Sequence, residues 1–160
     1  MSSSIVHRWC TFRVGDACFA VDSAVVIEVL RDRGLTQVPL AARGVLGLAH
    51  LRGRIVPVVD PVEILGVARR PAGPRTHLVM SLGDDWYGLL VDEMLDVIEI
   101  PLERIEQPTP AGSRGDVVAG IFAAENRLVH LLDPERMIQV LVRQATHHAG
   151  RPGGLHGGDD

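Results

Sequence analysis

Four of the twelve aspartates, the seven histidines and the two cysteines are the residues of this chain that first suggest chemistry. Asp22, Asp60, Asp92 and Asp133 are the acids that general acid–base work would need. Cys10 and Cys18 are the candidate thiol nucleophiles or redox partners. The histidines suggest metal binding, but His147, His148 and His156 lie in a Gly-rich terminal stretch, and a metal site needs fixed ligands with supporting contacts. No Cys-x-x-Cys, His-Glu-x-x-His, Gly-x-Ser-x-Gly, P-loop or dinucleotide fingerprint occurs. Nothing adjacent to either cysteine marks an activating base. An enzyme on this scaffold would need polar groups converging in a pocket, such as His50 within hydrogen-bonding reach of a cysteine. The four aspartates invite a simpler account, because they fall in pairs at equivalent positions of an internal repeat. An active site duplicated in this way is improbable, so the aspartates are expected to serve structure, and no catalytic residue, metal or cofactor is expected.

The repeat is the chief organising feature. The stretch GLAHLRGRIVPVVDPVEIL from Gly47 aligns without a gap on GIFAAENRLVHLLDPERMI from Gly120. Gly47 meets Gly120, Arg54 meets Arg127, Val56 meets Val129, and Asp60-Pro61 meets Asp133-Pro134. Val45 and Val118 extend the match upstream. A second pair precedes it: FAVDSAVVIEVL from Phe19 and LLVDEMLDVIEI from Leu89, which align with a gap of two residues and match Glu28-Val29 to Asp96-Val97. The implied halves run from 15 to 68 and from 75 to 142, with Arg69-Arg-Pro-Ala-Gly-Pro-Arg75 as the hinge between them, its prolines and glycine opposing regular structure.

The elements that must position these residues are mostly strands. Trp9–Val14 ends at a Gly15-Asp16 turn. Segments 76–82 and 86–91 flank Gly83-Asp84-Asp85 as a hairpin. Arg54–Val59 is rich in β-branched residues. Asp60-Pro61 and Asp133-Pro134 both read as a capping Asp followed by Pro in the first turn, where a missing amide costs nothing. The first is expected to start one short turn stopped near Gly66. The second is expected to start a helix from Pro134 to Gln144, with Met137, Ile138, Leu141 and Val142 at helical spacing. Residues 145–160, rich in Gly and His, are expected to be a disordered tail.

Composition closes off several classes. The 160 residues are 46% hydrophobic but only 4% aromatic, so the core must be aliphatic. The net charge of −4 gives no basic surface for nucleic acid. No apolar run reaches the ~18 residues needed to span a bilayer, and the N-terminus does not read as a signal peptide. Two cysteines make no disulfide framework. The expected setting is cytoplasmic.

The string Gly47-Leu48-Ala49-His50-Leu51-Arg52-Gly53, followed by the apolar run Ile55–Val59 and Asp60, resembles the signature of the CheW-type coupling proteins of chemotaxis arrays. Phe12-Arg13-Val14-Gly15, Phe19-Ala20-Val21-Asp22, Val26-Ile27-Glu28-Val29, Gly88–Asp92 with Asp96-Val97, and Leu131-Leu132-Asp133 belong to the same resemblance, which spans Val6 to Val142. His50 stands where the family's Asn-Leu-Arg-Gly motif usually has Asn, which affects the local loop and receptor specificity.

The resemblance implies a mainly β fold over 5–144, with two five-stranded SH3-like barrels, short helical turns and a C-terminal helix. It places the first barrel at 15–68 and the second at 75–142 plus the N-terminal strand 6–14. It implies an adaptor, not an enzyme, that joins the cytoplasmic tip of chemoreceptors to the regulatory domain of a CheA-type histidine kinase. Other CheW-like proteins are further partners, through rings of barrel ends. It excludes direct membrane insertion while locating the protein at membrane-associated arrays. Val26, Glu28, Gly47, Leu48, His50 and Arg52 are then the receptor-groove candidates. Gly47 is expected to open a loop that admits the receptor helix. Glu28 and Arg52 are expected to pair across the first barrel, and because Arg52 stands between apolar neighbours the pair is expected to be buried, at a cost of about 3–5 kcal/mol if broken. The same adaptor could serve a non-flagellar pathway controlling pili, biofilm or development.

Overall fold

The computed structural model describes residues 5–31, 34–37, 44–68, 75–108 and 117–149, with side chains to 141. Among the described residues, ten strands alternate with a few helical turns. The first five are β1 (Val6–Val14), β2 (Ala17–Asp22), β3 (Val26–Arg31), β4 (Val45–Leu51) and β5 (Arg54–Val59), followed by the short helix α1 (Val62–Leu65). The second five are β6 (Thr76–Leu82), β7 (Asp85–Val91), β8 (Glu93–Pro101), β9 (Val118–Ala123) and β10 (Leu128–Leu132), followed by α2 (Pro134–Ala149). The order is that of the sequence repeat. The two-residue gap in the second alignment falls at a 3₁₀ turn, Ser23–Val25, that only the first half carries.

The strands form two five-stranded sheets, ordered β3-β6-β7-β5-β4 and β8-β1-β2-β10-β9. Each sheet curls round its own apolar cluster. In the first, Ile27, Leu30, Ala49, Leu51, Val56, Val79 and Trp86 come from all five strands. In the second, Trp9, Cys18, Ala20, Leu95, Ile98, Ile100, Phe122, Val129 and Leu131 do the same. These are the two five-stranded barrels that the sequence led us to expect, in a mainly β fold.

The barrels do not coincide with the sequence halves. β2, placed at 15–68 with the first barrel, pairs instead with β1 and β10. β6 and β7, placed at 75–142, pair with β3 and β5. The first barrel therefore takes three strands from the first repeat and two from the second, and the second barrel takes β2 from the first repeat, β8 to β10 from the second, and β1, which precedes both. The physical reason is a third and largest cluster, lying between the barrels. Residues of β2 alternate between Cys18 and Ala20, which face the second barrel's interior, and Phe19 and Val21, which face this central cluster. β6 divides in the same way between Val79 and the pair Leu78 and Met80. Strands buried on both faces read as continuous apolar runs, and they bury most when each repeat lends strands to both barrels. Ile64 and Leu65 of α1 and Met137, Ile138 and Leu141 of α2 seal the same central cluster.

The four repeat-paired aspartates each hold a backbone amide. Asp22 accepts from Ala24 N at 2.9 Å, Asp60 from Val62 N at 3.2 Å, Asp92 from Gly15 N at 2.6 Å and Asp133 from Arg136 N at 3.2 Å. These bonds fix the two crossings between barrels and the two helix starts. α1 stops at Gly66 in the left-handed conformation. α2 runs past the expected end at Gln144, to Ala149. Of the stretch expected to be a disordered tail, residues 145–149 are therefore helical, and 150–160 lie outside the described residues, as does most of the hinge.

Candidate functional site

Glu28 and Arg52 meet although they lie on different elements. Glu28 sits in β3, an edge strand of the first barrel. Arg52 sits in the turn between β4 and β5, with φ +51, followed by Gly53 at φ +76. Two consecutive positive φ values are what a two-residue hairpin needs to match the twist of its strands. That turn carries Arg52 out to Glu28, where Nη2 lies 3.2 Å from Oε2. The pair closes the barrel between edge strands β3 and β4. It is not the buried pair expected from Arg52's apolar neighbours, because its side chains are 62% and 32% exposed. The turn lifts Arg52 out of the apolar run that surrounds it in sequence, and the expected cost of 3–5 kcal/mol falls to that of a surface pair, about 1 kcal/mol or less.

Val26 starts β3 and is half-buried against the central cluster, at the junction of the barrels. Leu48 and His50 point away from the barrel interior, alternating with Ala49 and Leu51, and lie opposite Pro57 and Ile55. His50 is exposed. Gly47 does not open a loop. It is buried within β4, and segment 34–37 crosses it, with Thr36 and Leu48 exchanging amide–carbonyl bonds of 2.9 Å. A Cβ at Gly47 would stand 2.8 Å from the Thr36 carbonyl oxygen. Gly120 has the same role in the second barrel, where Glu106 and Ile121 exchange bonds of 2.8 Å across the edge strand. The space at Gly47 is filled by the chain itself. Val26, Glu28 and Arg52 thus lie on or beside β3, whereas Leu48 and His50 share the outer face of the β4–β5 hairpin.

The second barrel has an equivalent clip that motif reading missed. Asp96 of β8 receives Arg127 Nη2 at 2.6 Å and the hydroxyl of fully buried Thr11 at 2.9 Å. The Arg127 bond, then that from Thr11, holds the Asp96 carboxyl below its ordinary pKa, and Asp96 raises Arg127 in return. The signal was present in the repeat, which aligns Glu28 with Asp96, but the arginine differs in position. Arg127 aligns with Arg54, not Arg52. Both barrels also expose equivalent apolar side chains, Val29 (45%) with Val97 (59%) and Ile55 (61%) with Leu128 (49%).

Groups for chemistry do not converge. Cys10 faces the central cluster and Cys18 the interior of the second barrel, and burial raises the pKa of both thiols. His50 stands on the outside of the first barrel, away from both. Among the described residues no three His, Cys, Asp or Glu side chains gather as a metal site would require, and no helix is long and apolar enough to cross a membrane.

The model of the CheW-like domain family matches residues 8–142. The chemotaxis protein CheW of Rhizobium meliloti is 32% identical, covering 84% of this chain and 89% of that protein. The protein FrzA of Myxococcus xanthus is also 32% identical, with coverages of 84% and 87%. The solved structure of the scaffolding protein TtCheW from Thermoanaerobacter tengcongensis superposes with a TM-score of 0.75 at 24% identity, covering 82% of this chain and 86% of that one, which speaks to the fold.

Proposed function

The chain belongs to the CheW-like domain family, whose members are scaffold proteins, and on that premise we propose that it couples the cytoplasmic tip of a chemoreceptor to a CheA-type histidine kinase. It acts without catalysis of its own, in the cytoplasm at membrane-associated arrays. The observation that carries this reading is the position of Val26. It is an apolar side chain left half-buried at the junction of two barrels, beside a strand whose Glu28 is clipped in place by Arg52. A receptor helix laid along that junction would complete the burial of Val26. The clip fixes the strand but adds little stability of its own, which suits a role in shaping the groove. Leu48 and His50 form a separate outer face and are assigned to the rim.

The paired exposed residues Val29 and Val97, and Ile55 and Leu128, support a second part of the proposal. Each barrel presents an apolar end, so one molecule can bridge two neighbours of the same fold, either kinase regulatory domains or other CheW-like chains, and generate a ring. Individually weak contacts gain strength from such multivalency. A scaffold of a non-flagellar chemosensory pathway, controlling pili, biofilm or development, is a second reading. FrzA matches as well as the relatives named CheW, and PilI of Pseudomonas aeruginosa is 33% identical over 62% of this chain and 56% of its own length.

The test is co-sedimentation with receptor tips and the partner kinase while kinase autophosphorylation is followed. Receptor-dependent recruitment and control of the kinase are expected. Both should be lost in Arg52→Ala, and receptor binding should weaken in Val26→Met, with the proteins still folded. Binding to neither partner would overturn the proposal. Binding to the kinase with no receptor control would make the protein a ring-filling scaffold.

A further inference from the structure

On the first barrel, next along β5 from the turn that carries Arg52, a cavity of about 310 Å³ is lined by Arg54, Ile55, Pro57, Asp84, Asp85, Trp86 and Tyr87. It sits where the β6–β7 turn meets the start of β5. Its wall is aromatic and prolyl, and its rim carries two adjacent carboxylates. The Arg54 guanidinium lies over the Trp86 ring at 4.4 Å and donates to the Asp84 backbone carbonyl at 3.0 Å. It therefore leaves both carboxylates without an ion-pair partner among the described residues. An aromatic-lined groove with unpaired acids is the setting in which small barrels bind proline-rich segments with a neighbouring base, because the polyproline helix is already extended and its binding costs little ordering.

The chain carries such a segment. Arg69-Arg70-Pro71-Ala72-Gly73-Pro74-Arg75 contains a Pro-x-x-Pro core flanked by arginines, so its charge complements the Asp84–Asp85 rim. We propose that the cavity takes this segment from a second copy of the chain.

Geometry excludes the molecule's own segment. Thr76 pairs with Val91 at one end of the β6–β7 hairpin, and the cavity lies at the other end, beyond Leu82. Seven residues of strand separate these ends by about 20 Å. Ala68 lies at the same far end as Thr76. Its carbonyl packs on Gly15, 2.4 Å from where a Cβ would stand, and Gly15 N is bonded to Asp92, next to Val91. A chain running from Ala68 to Arg75 spans at most about 25 Å, whereas reaching the cavity and returning needs about 40 Å, twice the strand length. The contact thus joins one copy's segment to another copy's cavity, and it closes as a reciprocal two-fold dimer or a ring, or runs on as a filament, according to the rotation between copies. It goes beyond the adaptor reading and does not depend on it. Ile55 is shared with the apolar barrel end, but Asp84 and Asp85 are used only here.

The test titrates a capped synthetic peptide of residues 69–75 into full-length Trp9→Phe protein, in which Trp86 is the sole tryptophan and its fluorescence reports the cavity. Circular dichroism confirms that each variant is folded. A saturable change with half-saturation at or below about 1 mM is expected. It should weaken about tenfold when Asp84→Asn and Asp85→Asn are combined, and equally when alanines replace Pro71 and Pro74 in the peptide. Sedimentation velocity of the full chain should show self-association that Pro71→Ala with Pro74→Ala abolishes. Absence of saturation, equal binding of the proline-free peptide, indifference to the two Asp→Asn changes, or self-association that survives the proline changes would each overturn the proposal.

Discussion

At the scale of single residues, two clips of the same design behave differently because their partners differ. Glu28–Arg52 is a lone pair whose arginine is in solvent and whose glutamate is half-buried, so Arg52→Ala should cost about 1 kcal/mol or less by urea denaturation. A double-mutant cycle with Glu28→Gln should return a coupling within that range, and a coupling of several kcal/mol would mean that the pair is buried in solution. Asp96 has two donors, Arg127 first and Thr11 second, and both lower its pKa. A carboxylate whose folded pKa lies below its unfolded value stabilises the fold above the unfolded value, about 4. That contribution fades as pH falls through the folded value. Asp96→Asn should therefore reduce stability at pH 7 by about 1 kcal/mol or less, since the carboxylate is 62% exposed. It should also flatten the loss of stability between about pH 4 and the acid limit. Thermal melts of both proteins across that range check the sign.

At the scale of elements, the crossing segments over β4 and β9 make opposite demands on two glycines that the sequence shows as equivalent. At Gly47 a Cβ would meet backbone, the Thr36 carbonyl oxygen at 2.8 Å, whereas at Gly120 its nearest neighbour is a side-chain methyl, Ile105 Cγ2 at 2.5 Å. A side-chain end can swing aside and a hydrogen-bonded carbonyl cannot. Gly47→Ala should therefore destabilise more than Gly120→Ala, by about 1 kcal/mol or more if the Thr36–Leu48 bonds are lost, and equal denaturation midpoints would contradict this. At the β4–β5 turn, Gly53 has φ +76 with open space around it. Gly53→Ala should thus cost about 1 kcal/mol from backbone conformation alone.

At the scale of the whole molecule, the exchange of strands between repeats makes the two barrels one cooperative unit. Val21, which by sequence belongs to the first half, is a strand residue of the second barrel and faces the central cluster, while Val56 faces the interior of the first. Replacing either with Asp buries a charge without a partner. Val21→Asp is expected to unfold both barrels in a single transition, not the first alone. Cutting the chain within 69–75 should not yield two independent domains. Fragment 1–68 lacks β6 and β7 of its own barrel and should stay unfolded alone, then fold when mixed with 76–160. Circular dichroism of each fragment and of the mixture distinguishes this from independent folding.

The sequence by itself determined what depends on local pattern. Apolar runs with turn residues marked the strands, Asp-Pro pairs marked both helix starts, and the Gly47 and Gly120 stretches marked a duplication whose copies carry β4-β5-α1 and β9-β10-α2. The resemblance to the CheW-type family, carried by these motifs, implied the pairing of Glu28 with Arg52. What tertiary structure alone decided is partnership. A strand that is apolar on both faces is indifferent, in sequence, to which barrel takes it, so β2, β6 and β7 were assigned by chain proximity and moved when the central cluster was formed. Exposure was hidden for a related reason. Arg52 and Gly47 sit among apolar neighbours in the chain, but a turn with positive φ lifts one into solvent while a crossing segment buries the other, and both depend on residues that are distant in sequence.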